Sequence, residues 1–313
     1  MVIVRKIPKE YIKTVDVIAL GLLLHAALLT LTPSIASLLD PLFKLMGLSE
    51  QGALLLYCKT GIDIILCLIR FFLPILLICR LDRSAKEFVS LKPKFKKDFI
   101  LFLIMTLGAV AYAGQITADS MPLFERIGIG FKNPQPILPD GIGGIITTFI
   151  TGALVPAVTE ELLFRKVILD RTLPYGKTFA IVFSSLCFSL IHTSPTQFLY
   201  AFTAGVFLAA VAANSGSVIP SMVIHFANNL LSIIYLILEK YRPDLFEGVT
   251  SITDTVLKLA SLILICVLAT KGSFRDKSKP GLEFPAFIGL LRPLFIFYVL
   301  FTVYLTLQWV YII

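Results

Sequence analysis

The stretch "TEELLFRKVILD" at 159–170 puts Glu160, Glu161 and Arg165 within six residues, just after the chain has run through "IGGIITTFITGALVPAV" without a charge. In a helix Glu161 and Arg165 lie four apart on one face, the favourable order for an ion pair, while Glu160 points ~100° away. Glu161 and Arg165 are therefore expected to neutralise each other as a structural pair. Glu160 is left as a carboxylate with no partner on its own helix. The chain has three histidines, and two sit in equally apolar stretches: His192 in "FSLIHT", one turn after Phe188, and His225 in "IHFANN", one turn before Asn229. A carboxylate near two imidazoles in a low-dielectric pocket is suited to taking a proton from water. His192 could share that base role, while His225 and Asn229, as donors, could stabilise the oxyanion of a tetrahedral intermediate in peptide hydrolysis. The same set also suits a Zn²⁺ ion, with Glu160, His192 and His225 as ligands and an open position for water. Residue types alone leave both mechanisms open.

These side chains need a scaffold, and the composition specifies its class. The 313 residues are 57% hydrophobic and 15% charged, with a mean hydropathy of +0.88, well above a soluble globular domain. Stretches of ~20 apolar residues recur along almost the whole chain, each long enough for a membrane helix. We read them at roughly 16–37, 53–79, 98–117, 142–170, 177–192, 197–213, 218–238, 255–270 and 286–312. The runs are too long for strands and lack two-residue alternation, so the expected fold is an all-α polytopic membrane protein of eight to nine transmembrane helices. The expected organisation is an N-terminal set of helices (1–141), a four-helix core carrying the polar residues (142–238) and C-terminal helices (239–313).

A net charge of +8 raises the question of nucleic acid, but the basic residues fall in alternate loops. Eighteen lie in one set (up to Lys13, Arg80 to Lys97, Lys166 to Lys177, Lys271 to Lys279) against five in the other (Lys44, Arg126, Lys132, Lys240, Arg242). This positive-inside bias predicts a cytoplasmic N-terminus and accounts for the charge without nucleic acid. The implied location is a membrane, the plasma membrane if the protein is bacterial, with the lipid bilayer as its first partner. The five cysteines all lie in or beside apolar runs with no CxxC spacing, and read as small packing residues. At 1.5 Å per residue from the expected cytoplasmic ends, Glu160 falls at roughly 15 Å, His192 at roughly 22 Å, His225 at roughly 10 Å and Asn229 at roughly 16 Å. Three helices thus present their polar groups in one layer between cytoplasmic face and midplane. Ionisable groups at that depth cost ~2.5–3.5 kcal/mol each on insertion scales and normally face a bundle interior.

The three stretches also match known motifs in order: "EELLFR" fits EExxxR, "FSLIH" fits FxxxH and "HFANN" fits HxxxN. In this the chain resembles the CAAX protease and bacteriocin-processing family, the Rce1/Abi group of intramembrane proteases, over about residues 142–238. The resemblance implies an intramembrane endopeptidase acting near the cytoplasmic face, of glutamate-dependent or metal-dependent type. It also implies Glu160 as the catalytic glutamate, His192, His225 and Asn229 as the rest of the site, and Glu161, Arg165 and Phe188 as supporting motif positions. The implied substrate is a membrane-associated peptide or protein, prenylated or of the bacteriocin or pheromone kind. Two other classes compete. An ion- or proton-coupled transporter would use Glu160 and the histidines as a relay, although no inverted repeat is visible. A non-catalytic immunity or scaffold protein would retain the motifs without using them. His25, Lys59, Asp63, Arg70 and Arg292 are expected to be structural, the middle three as a mutually neutralised cluster and Arg292 as a side chain snorkelling to the surface.

Overall fold

Lipid supplies no partner for a backbone amide or carbonyl, so an apolar segment within it must satisfy its own groups, and these runs do so as helices. A computed structural model of the chain describes residues 8–49, 52–83, 87–132, 136–270 and 287–313. Its helices are α1 (Lys9–Ser37), α2 (Asp40–Leu45), α3 (Ala53–Leu81), α4 (Phe99–Arg126) and α5 (Gly141–Tyr175, an irregular helix). They continue as α6 (Lys177–Leu190), α7 (Pro195–Ser215), α8 (Ile219–Tyr241), α9 (Pro243–Thr270) and α10 (Pro293–Leu307). Among the described residues seven segments are long and apolar enough to cross a membrane, α1 being taken together with α2. The protein is an integral, multi-pass, all-α membrane protein. Arg5, Lys6, Lys86 and the basic residues from Lys271 to Lys279, counted above toward topology, lie outside the described residues.

Every expected apolar segment is helical, with three differences. The segments read at 177–192 and 286–312 form α6 and α10, of 14 and 15 residues. Each spans only ~21–23 Å, against ~30 Å of hydrocarbon. Helix α6 is instead a core element: Phe179 stacks on Phe183 at 5.3 Å, and Phe183 meets Phe295 of α10 at 5.1 Å. The connector read before residue 255 is helical, because α9 begins at Pro243, a residue preorganised for a first helical turn. The Gly/Pro-rich loop after α4 contains a strand, β1 (Ile129–Phe131), paired antiparallel with β2 (Val310–Ile312) in the register Ile129↔Ile312. This short ladder is an addition that the long apolar runs did not signal.

Close helix approach does the positioning. Helix α1 packs on α3 and α10, α4 lies against α7 and α9, and α8 contacts α5 and α7. A Cβ at Gly108 would sit 2.1 Å from the Leu257 carbonyl oxygen of α9, and one at Gly205 of α7 would sit 3.0 Å from Ser185 Cα of α6. Small residues permit the contact that dispersion then rewards, since lipid leaves little hydrophobic drive between helices. At one end of the bundle Asp170 accepts hydrogen bonds from the amides of Phe88 and Val89, both at 2.7 Å, fixing the loop before α4 to α5. At the other end Lys240 donates to the Leu138 carbonyl and to Asp140 at 2.6 Å. That hydrogen bond holds the Asp140 carboxyl below the usual carboxylate range, so the tether persists across neutral pH.

The expected charge cluster on α3 is not mutually neutralised. Lys59 pairs with Asp40 of α2 at 3.0 Å, and Arg70, with no carboxylate within 4.0 Å among the described residues, lies 3.9 Å from the Cys67 sulfur and over the Phe71 ring at 5.4 Å. Arg292, partly exposed, forms an ion pair with Asp16 of α1 at 2.6 Å. His25 is an interior residue against the Phe71 ring, as expected. Of the cysteines only Cys187 is fully buried, and Cys79 and Cys266 are exposed on the helix surface.

Candidate active site

Helix α5 departs from regular geometry on both sides of the glutamates. Residues Ile150–Leu154 are π-helical, Val155–Glu161 are α-helical, and Leu162–Leu169 are π-helical again. Pro156 explains the first transition: it has no amide for the Gly152 carbonyl, and the preceding turn widens so that the Val155 amide bonds Ile150, five residues back. A proline at this position can kink a helix, and here a π-turn absorbs it. The regular α-helical turn between the two irregular ones bears Glu160 and Glu161.

The two glutamates then diverge as their spacing required. Glu161 is fully buried and meets Arg165, also fully buried, with Oε2 3.3 Å from Nε. The pair does more than neutralise itself. Glu161 Oε1 lies 3.1 Å from His225 Nδ1, which donates to it, so one carboxylate spans a guanidinium and an imidazole on different helices. With Nδ1 so engaged, His225 turns Nε2 toward Glu160, 3.8 Å from its Oε2. Arg165 also lies over the Phe188 ring at 4.6 Å, a cation–π contact, and donates to the Gly205 carbonyl at 3.4 Å. The Phe188 ring in turn meets both histidines edge-on, His192 at 5.1 Å and His225 at 5.7 Å. The first residue of the FxxxH motif is thus the surface against which three site side chains are set.

Helix α6 ends at Leu190, and His192 occupies the turn that follows it. Its Nδ1 lies 2.9 Å from the Phe188 carbonyl oxygen. A carbonyl can only accept, so this nitrogen carries the proton and neutral His192 keeps its lone pair on Nε2. The next residue, Thr193, has φ 45°, a left-handed conformation that a β-branched side chain disfavours.

Glu160, His192, His225, Asn229 and Phe188 line one cavity of about 350 Å³, whereas Glu161 and Arg165 lie behind its wall. Sequence reasoning missed Asn228, Gln197, Tyr200 and Thr106, which line it too. Asn228 had a signal, being a second amide in an apolar helix, and it donates to Asn229 Oδ1 at 3.3 Å, which leaves the Asn229 amide nitrogen free to donate. Thr106 belongs to α4, where nothing in the sequence ties it to the motifs. Pro136, from the segment between β1 and α5, also lines the cavity. Among the described residues no three His, Cys, Asp or Glu side chains converge closely enough to hold a metal ion. In this arrangement Glu160, His192 and His225 do not close into a Zn²⁺ site.

Residues 142–231 match the Rce1-like family, described as type II CAAX prenyl endopeptidase. The match takes in α5 through most of α8, which carry all three motifs. No curated protein and no solved structure matches the chain.

Proposed function

We propose that this membrane protein, with its Rce1-like core, is an intramembrane endopeptidase that hydrolyses a peptide bond with water activated by Glu160. The observation that carries the reading is the convergence of Glu160, His192, His225 and Asn229, from three separate parts of the sequence, on one cavity. Glu160 takes a proton from a water molecule as its oxygen bonds to the scissile carbonyl carbon. The carbonyl π electrons move to oxygen, and the amide of Asn229 donates to that oxyanion. As the carbon–nitrogen bond breaks, the Glu160 proton passes to the departing amine, leaving a carboxylic acid, an amine and a regenerated glutamate. Neutral His192, with its free Nε2, orients the water. Glu161 and Arg165 do not touch substrate in this scheme. They fix the His225 ring so that Nε2 faces the reacting groups.

The substrate of this reading is a membrane-associated peptide or protein, and the positive-inside bias of the loops supports cleavage near the cytoplasmic face. The test is cleavage by purified protein in lipid nanodiscs, read by mass spectrometry against a peptide library and paired with comparative proteomics of cells expressing Glu160→Gln. Substrates that accumulate uncut in the variant, and are cut in vitro only by the wild type, are the expected outcome. Equal cleavage by both proteins would sink the assignment of Glu160.

A further inference from the structure

Glu160 faces two cavities. Besides the one shared with the histidines, it lines a second of about 410 Å³ between α1, α3 and α5, and Pro156 is the other residue common to both. The second cavity is walled by Thr32 and Pro33 of α1, by Asp63, Cys67 and Arg70 of α3, and by Thr151 of α5. Its unusual member is Arg70. Arg165, Arg171 and Arg292 each have a carboxylate within 4.0 Å (Glu161, Asp82 and Asp16). Arg70, in the middle of a membrane helix, has none among the described residues. Its Nε is buried without a hydrogen-bond partner, its terminal nitrogen lies 3.9 Å from the Cys67 sulfur, and its guanidinium carbon stands 5.4 Å from the centre of the Phe71 ring, so no contact supplies a negative charge. Asp63 and Glu160 line the same cavity but close no ion pair with it.

A guanidinium at membrane depth is expensive unless an anion completes it, and its planar fork suits a carboxylate bound through two parallel hydrogen bonds. We infer that Arg70 forms a carboxylate-binding subsite, which receives a carboxylate of the peptide substrate on the far side of Glu160 from the histidine cavity. This rests on the peptidase reading above. A peptide bond poised over Glu160 would reach both cavities, and the carboxylate anchored at Arg70 would set which bond lies there. The subsite uses α1 and α3, outside the stretch that matches the family, so it concerns specificity proper to this chain. The carboxylate has two sources, the free C-terminus of the substrate or an acidic side chain at a fixed offset from the cut.

The experiment compares wild type, Arg70→Lys and Arg70→Gln on one peptide library with free C-termini and on the same library amidated. Free-terminus recognition predicts that wild type prefers the acid by tenfold or more, equivalent to about 1.4 kcal/mol at 25 °C, and that Arg70→Gln loses the preference. Side-chain recognition predicts no acid preference but cuts at a constant distance from Asp or Glu, a constancy that Arg70→Gln abolishes. If Arg70→Gln lowers all cleavage equally, or changes nothing, the subsite is refuted, the former result assigning Arg70 to Glu160 instead. A second measurement needs no catalysis: modification of Arg70 by phenylglyoxal, mapped by mass spectrometry. Hexanoate is expected to slow it severalfold where hexanamide does not, and equal rates refute the subsite even if the protein proves to be a peptidase. Protection by hexanoate in a protein that cuts nothing would leave the carboxylate site standing and remove the peptidase reading.

Discussion

At the scale of single residues, the two adjacent glutamates should fail in different ways when altered. Glu160→Gln keeps the shape but cannot take a proton, and loss of a general base is worth ~10²–10⁴ in rate. Cleavage should fall by that factor with the thermal unfolding midpoint unchanged, since among the described residues the one ion pair of Glu160 is the 3.8 Å approach to His225. Glu161→Gln should do the reverse in order of severity. It strands the fully buried Arg165 without a counter-charge, a change worth ~3–5 kcal/mol when a buried pair is broken. The double variant Glu161→Gln, Arg165→Met removes both charges and should recover most of that loss. Activity should stay low, because the carboxylate that holds His225 Nδ1 is still missing. A double-mutant cycle in detergent, reading unfolding and cleavage together, separates the two roles. If the double variant recovers full activity, Glu161 does not position His225.

At the scale of helices, Gly205 is a point of close approach beside the site. Its missing Cβ already would stand 3.0 Å from Ser185 Cα, and its carbonyl accepts from Arg165. Gly205→Val adds two further methyl groups to that gap and should destabilise by ~1–3 kcal/mol. It should also lower cleavage by forcing α7 away from α6, which thermal unfolding and peptide assays will show. Much of this arrangement was legible in the sequence. The four-residue spacing of Glu161 and Arg165 predicted their pairing, and the layer of Glu160, His192, His225 and Asn229 predicted their meeting. What was hidden depends on contacts between helices that no spacing encodes. The hydrogen bond from His225 to Glu161 crosses 64 positions, and Thr106 enters the cavity from a helix with no motif. That α6 is too short to cross the bilayer was hidden for a related reason: an apolar run reads alike whether lipid or protein surrounds it, and α6 is packed in protein.

At the scale of the whole molecule, the absence of a converging ligand trio among the described residues predicts behaviour under metal removal. Cleavage should survive prolonged dialysis against a chelator, with no metal at stoichiometric amounts in the dialysed protein. Loss of activity restored by added Zn²⁺ would require the side chains to rearrange around the ion. Buried charge in α5 has a further consequence, which concerns synthesis rather than catalysis. Glu161 and Arg165 must leave the translocation channel before α8 exists, since His225 is made 64 residues later. Each charge disfavours insertion by a few kcal/mol, so the nascent α5 should sit poorly in lipid until its later partners emerge. Chains truncated after Ser215 are therefore expected to leave residues near 160 open to aqueous thiol labelling at an introduced cysteine, and full-length chains to close them. The charges that equip the site would then also set the order in which the bundle can be assembled.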